Sequence, residues 1–301
     1  MVTAGIVLFC AAAAWLVWLV LRGPRRQAYP LYGYLGLVVI VIAEIWMFRG
    51  RQPVATFFTP IAWTGYIAAV DAAVLALSGR SLLRSRPGEF LAAWVLSVPM
   101  WLVFEAYNLR LENWMYVGLP RSAALRNFGY AWSFATIWPA ILETSQLLRA
   151  AGLWSRSFPR VEFSRNLGLA SAVAGALFLG LPLILPRNLA PYSFGLVWLG
   201  FIFLLEPVNF LRGAPSLVQD LREGRRARLY SLLAAGAVCG IFWEFWNYWA
   251  AARWIYVFPI FQSYKIFEMP LPGFLGFPPF ALELFAMYFF LTRLVGHVPE
   301  L

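Results

Sequence analysis

The sequence predicts an all-α polytopic membrane helix bundle of about nine transmembrane helices, one N-terminal helix plus two parallel four-helix repeats. Three observations carry that prediction. Of 301 residues, 61% are hydrophobic and only 13% charged, where a soluble domain is closer to half and a quarter. The surplus needs lipid as its solvent. The apolar residues also come in runs of about 20, the length that spans a hydrocarbon core. Finally, four short motifs recur in the same order in the two halves of the chain.

Spans fall at 4–21, 31–48, 54–78, 89–107, 128–148, 167–185, 191–211, 230–252 and 273–292. The first has no basic residue before it, and Arg22, Arg25 and Arg26 follow it. That pattern fits a retained helix with its N-terminus outside rather than a cleaved signal peptide. Alternating sides from there puts sixteen of the 24 basic residues in inner segments and eight in outer ones. The bias orients the chain in the cell membrane with its C-terminus in the cytoplasm.

The repeats divide the chain further. Trp63-Thr-Gly-Tyr-Ile-Ala-Ala-Val-Asp71 matches Trp198-Leu-Gly-Phe-Ile-Phe-Leu-Leu-Glu206, and Phe104-Glu-Ala-Tyr-Asn108 matches Trp243-Glu-Phe-Trp-Asn247. Trp114-Met-Tyr-Val-Gly-Leu-Pro120 matches Trp254-Ile-Tyr-Val-Phe-Pro259, and Pro139-Ala-Ile-Leu-Glu143 matches Pro279-Phe-Ala-Leu-Glu283. The organisation expected is an N-terminal helix at 1–28, repeat 1 at 29–150, a cytoplasmic linker at 151–166 and repeat 2 at 167–301. An even number of helices per repeat makes the copies parallel. The sixth span, rich in Gly and Ala, suits close packing between the two units.

Composition also argues against several functions. The net charge of +10 comes from arginines between apolar runs, which suits topology and lipid headgroups rather than nucleic acid. Cys10 and Cys239 lie inside apolar runs and form no CxxC site. The lone histidine, His297, argues against a His-ligated metal or haem. No cofactor and no metal are expected.

Seven of the fourteen acidic residues fall inside spans: Glu44, Asp71, Glu105, Glu143, Glu206, Glu244 and Glu283. Six of them pair between repeats. Intramembrane acids are costly and are functional candidates by default. Without a cationic partner, desolvation favours the protonated acid, a proton donor or a step in a proton path. The plain alternative for each is a hydrogen bond between helices. Asp71 and Glu206 lie toward the inner side, where capping or bridging helices suits them.

Glu105 and Asn108 share a helix face three residues apart, and Trp114 and Tyr116 follow. Glu244, Asn247, Trp254 and Tyr256 repeat the set, with Glu268 just before the last span. An aromatic interface belt accounts for many Trp and Tyr residues. It does not account for Glu and Asn recurring at the same spacing. Acids ringed by aromatic faces suit protonation of an alkene and stabilisation of the cation formed.

At these residues the chain resembles the integral-membrane lycopene cyclases of the heterodimeric or fused type. Those have tandem copies of a three-helix domain. Each copy carries an acidic residue in a Trp-Asp-Asn-Tyr-like stretch, then Trp-x-Tyr, then a Pro-Leu-Glu-Glu-Tyr-Leu-Phe-Phe-like start to the next helix. Here Trp243-Glu-Phe-Trp-Asn247, Trp254-Ile-Tyr256 and Pro270-Leu-Pro-Gly-Phe-Leu-Gly-Phe277 follow that order. The first copy keeps Glu105 and Trp114-Met-Tyr116 but lacks the Pro-Leu segment. Pro272 and Gly273 stand where the family has paired glutamates. The resemblance spans roughly 54–143 and 191–292, and it implies cyclisation of a linear carotenoid without net redox change.

The expectation is therefore a membrane enzyme acting on a polyprenoid or similar apolar lipid by acid catalysis. Glu105, Glu244, Glu268 and Glu283 are the candidate acids, and Asn108 and Asn247 the groups that orient them. Trp114, Tyr116, Trp243, Trp254 and Tyr256 are the candidate pocket lining. A proton-coupled transporter using the same acids, and a non-catalytic assembly or scaffold protein, are the competing readings. Whether Glu105 and Glu244 face one cavity bears most on the choice.

Overall fold

In the computed structural model, residues 1–296 are described, and His297 and the last four residues lie outside the described part. The chain is built from helices. These are α1 Val2–Arg22, α2 Leu31–Phe48, α3 Phe58–Ser78, α4 Leu82–Ser85, α5 Pro87–Leu111, α6 Ala123–Ala150, α7 Arg165–Ile184, α8 Phe194–Leu211, α9 Leu217–Arg222, α10 Ala227–Trp249 and α11 Phe277–Leu294. Four short strands complete it: β1 Trp114–Val117, β2 Arg253–Tyr256, β3 Lys265–Ile266 and β4 Met269–Pro270.

Eight segments, the helices α1, α2, α3, α5, α7, α8, α10 and α11 with short lead-in turns on two of them, are long and apolar enough to cross a bilayer. This is a multi-pass helical membrane protein. The one expected span not among them, the fifth at 128–148, lies within α6, which has 28 residues but is less apolar. Asn127, Ser133, Thr136, Glu143, Thr144, Ser145 and Gln146 lower its average. The reason is position. α6 packs on α3, α5 and α10, and its run from Phe134 to Ser145 is buried, so protein rather than lipid solvates its polar groups.

Local sequence explains where the helices begin and end. Ser122 and Ser164 cap α6 and α7 by accepting from the N–H groups of Leu125 and Leu167. Gly79 ends α3 in the left-handed conformation at φ 79°. Pro87 starts α5, and Pro278 lies in the first turn of α11. The expected span at 273–292 is shortened at its start, because Leu271–Gly276 forms a 3-10 turn around Pro272 before α11 begins.

The same order of elements occurs twice. A helix pair (α2–α3, α7–α8) leads to a short helix (α4, α9), a long helix (α5, α10), a strand (β1, β2) and a last helix (α6, α11). Each pair closes through glycine. A methyl group on Gly36 would lie 2.5 Å from the carbonyl oxygen of Gly65, and one on Gly175 would lie 2.7 Å from that of Gly200. Small residues let the helix backbones touch. α7 therefore packs chiefly on α8, its neighbour in the same half. This corrects the expectation that its glycines join the two units.

The halves are joined elsewhere, by α6 against α10, α5 against α11, and β1 against β2. The strands pair antiparallel with Trp114 opposite Tyr256, Met115 opposite Ile255 and Tyr116 opposite Trp254. The equivalent Met115 and Ile255 face each other, and on either side the Trp of one strand faces the Tyr of the other, so a local two-fold relates the strands.

Candidate functional site

The two motif copies meet at the β1–β2 end of the bundle. Glu105, near the end of α5, accepts three hydrogen bonds on one oxygen. They come from Trp101 Nε1 at 2.8 Å, Trp114 Nε1 at 3.2 Å and Tyr116 Oη at 2.5 Å. Glu244, on α10, is fully buried. It accepts from Tyr256 Oη at 3.0 Å, and that phenol oxygen accepts from Trp254 Nε1 at 2.9 Å. The second oxygen of Glu244 is buried without a hydrogen-bond partner. Each repeat therefore supplies a Glu–Tyr pair next to a Trp.

Asn108 and Asn247 have a different part from the one expected. Asn247 Nδ2 donates to the carbonyl of Trp254 at 2.8 Å, and its Oδ1 accepts from the Trp254 N–H at 2.9 Å. Asn108 does the same for Trp114, at 2.8 and 3.2 Å. Each side chain reads a strand residue as a neighbouring strand would. The asparagines fix the strands, and through the strands the tyrosines; they do not touch the acids.

One cavity of about 350 Å³ lies between the halves. Trp114, Tyr116, Trp243, Trp254 and Tyr256, the five expected lining residues, all line it. None of the four candidate acids does. Glu105 and Glu244 sit one layer behind, reaching the cavity through Tyr116 and Tyr256. Glu268 lies between β3 and β4, beside Glu244. Glu283 is fully buried in α11 against the backbone of Phe201, away from the cavity wall. The site is thus two phenols backed by acids, and Glu283 is not part of it.

The wall is aromatic. Trp63 lies 5.1 Å from Trp243 between ring centres, Tyr116 5.1 Å from Tyr130, and Trp114 5.2 Å from Phe194, the last two edge to face. Burial first, then the neighbouring carboxyl, pushes the Tyr116 and Tyr256 phenols well above their ordinary range. Both keep their proton at neutral pH. Each O–H donates to its acid, and each tyrosine lies in the cavity wall.

Sequence reasoning missed several wall residues. Trp101 stands one helical turn before Glu105, an i, i+4 relation legible in principle. Trp63 and Trp198 open a matched stretch of the two repeats, so recurrence was a signal for them, whereas Tyr130 and Phe280 had none tying them to the site. Arg126 and Arg253 also line the cavity.

Three of the other intramembrane acids hold helices. Asp71 accepts from Tyr32 Oη at 2.5 Å, Ser81 Oγ at 2.9 Å and the Leu83 N–H at 2.9 Å. Glu206 accepts from the Leu217 and Val218 N–H groups at 2.6 and 3.2 Å. The pair therefore binds the N-termini of α4 and α9. Glu44 on α2 accepts from Trp246 Nε1 of α10 at 3.1 Å. No family model, curated protein or solved structure is significantly similar to the chain.

Proposed function

We propose that the cavity binds an apolar, polyprenoid-like lipid and that the protein is an acid catalyst of its cyclisation or isomerisation. The observation that carries this reading is the arrival of Tyr116 and Tyr256 from equivalent positions at one apolar, aromatic cavity, each backed by a glutamate. The chemistry is balanced without a redox partner. With Glu244 protonated and donating to the phenol oxygen, Tyr256 turns its O–H to the cavity and gives its proton to an alkene carbon; the π electrons form the new C–H bond, and the Glu244 proton passes to the phenol oxygen. The cation left on the neighbouring carbon is met by ring faces of Trp243 and Trp254. A second alkene that closes on it forms the ring bond and carries the charge to a new carbon; with or without that closure, loss of a proton to the Glu244 carboxylate discharges the cation and restores the acid.

The resemblance to the lycopene cyclases points the same way, with Tyr–Glu pairs in place of paired glutamates. The aromatic wall favours this reading over a proton-coupled transporter, which needs a hydrated path between its acids. The orientation that fits the arginine bias has the β1–β2 end outside and the α4 and α9 end in the cytoplasm.

The test is product formation from lycopene and from linear prenyl phosphates in membranes containing the full chain. Glu244→Gln and Tyr256→Phe are each expected to lower the rate by about a hundredfold or more, the usual weight of general acid catalysis. Full activity in both variants would sink the assignment.

A further inference from the structure

The cavity has two cationic lining residues as well as an apolar wall. Its charged lining residues are Arg126 and Arg253, and no aspartate or glutamate lines it. Arg126 stands in the second turn of α6, one turn before Tyr130, and Arg253 opens β2. Both are half-buried. Arg253 donates one guanidinium N–H to the Tyr248 carbonyl at 3.3 Å, and its Nε is buried without a partner. Thr59, a buried cavity residue, likewise has a hydroxyl with no hydrogen-bond partner. Arg253 lies opposite Val117 in the ladder, and Arg126 stands one turn before Tyr130, whose ring meets Tyr116, so both cations belong to the β1–β2 end of the cavity, where the lack of an acid in the lining leaves an anion site open. The aromatic residues line the rest.

We infer that the ligand is an amphiphile with a phosphate head, held by Arg126 and Arg253, whose hydrocarbon chain lies along the Trp and Tyr wall toward Tyr116 and Tyr256. Two guanidiniums match a doubly charged phosphate monoester or diphosphate better than a singly charged carboxylate. The head anchors one end, so the chain's position along the wall decides which alkene meets a phenol. This inference rests on the lipid-cavity reading above. It narrows the substrate class from any apolar prenoid to one that carries phosphate.

The protein reports its own occupancy, because Trp63, Trp101, Trp114, Trp198, Trp243 and Trp254 all line the cavity. Intrinsic fluorescence of the full chain in phosphatidylcholine nanodiscs can therefore be titrated with farnesyl phosphate, farnesol and inorganic phosphate. Farnesyl phosphate is expected to bind at least about tenfold more tightly than farnesol. Arg126→Gln and Arg253→Gln should each remove most of that difference and leave farnesol binding unchanged, while Arg126→Lys restores part of it. Competition by phosphatidic acid but not by inorganic phosphate identifies a lipid source for the head, and the reverse identifies a soluble one; either supports the anion site. Equal binding of farnesol and farnesyl phosphate overturns the head-group inference and leaves the lipid cavity standing. Failure of both to bind overturns the cavity reading itself. A melting curve of each variant separates a lost contact from a lost fold.

Discussion

Glu105 and Glu244 occupy equivalent places and have unequal surroundings. Glu105 is saturated by three donors on one oxygen, whereas Glu244 has one donor and a bare, buried second oxygen. The first holds structure together and the second has spare capacity for a proton. Glu105→Gln is therefore expected to cost about 1–3 kcal/mol of stability, since it weakens the three bonds that converge on one oxygen and turns an acceptor into a partial donor. Glu244→Gln should leave the melting temperature nearly unchanged and, on the proposed reaction, lower turnover about a hundredfold or more. Thermal unfolding followed alongside product formation separates the two. The glutamates and asparagines were legible in the sequence because their spacing repeats. The roles were not, because an Asn three residues from a Glu on a helix gives no hint that its partner is a strand residue reached by a turn of chain.

At the scale of elements, the helices follow directly from the length of apolar runs and from Ser, Pro and Gly at their ends. The strands do not. Trp-Met-Tyr-Val and Arg-Trp-Ile-Tyr are four residues each, too short to announce themselves, and their pairing is with each other across the halves. Gly118 follows β1 at φ 69°, and a methyl group there would sit 1.9 Å from the carbonyl oxygen of Ala251. Gly118→Ala is expected to part the end of the β1–β2 ladder and loosen the cavity, read as faster amide exchange at Met115 and Ile255. Asn247→Ala removes both bonds to the Trp254 backbone, a loss of about 2 kcal/mol that a denaturation series would register. α6 shows the opposite limit of sequence reading. Its span is found, but its polar face makes sense only once the three helices around it are known.

For the whole molecule, the cavity belongs to neither half alone. Tyr116 and Trp114 come from one and Tyr256, Trp254 and Trp243 from the other. Cutting the chain in the 151–164 linker is expected to leave two pieces that bind each other when made together, with α6–α10 and β1–β2 as the interface, and pull-down from membranes tests it. The linker itself is tied down by Phe158 and Val161, whose N–H groups donate to Gly224 and Leu221, so the cut should slow assembly rather than prevent it. Alkali should act on the whole fold as well. Burial holds Tyr29 up to about 12 and Tyr116 and Tyr256 well above 10.0. A raised folded pKa means the folded state keeps its proton longer than the unfolded chain. The stabilisation is complete below pH 10 and declines as pH rises through the folded values. Melting temperature against pH, with tyrosinate absorbance recorded in parallel, should show both changes in one window.

The strand pair carries one further consequence. Because Met115 faces Ile255, and Trp faces Tyr on either side, each strand is complementary to its own counterpart. A single half, duplicated rather than fused, would meet a second copy of itself through that same ladder and form a closed symmetric dimer. Joining the copies in one chain releases them from identity. One acid can then be saturated by donors and the other left with a bare oxygen, a difference that no homodimer can encode.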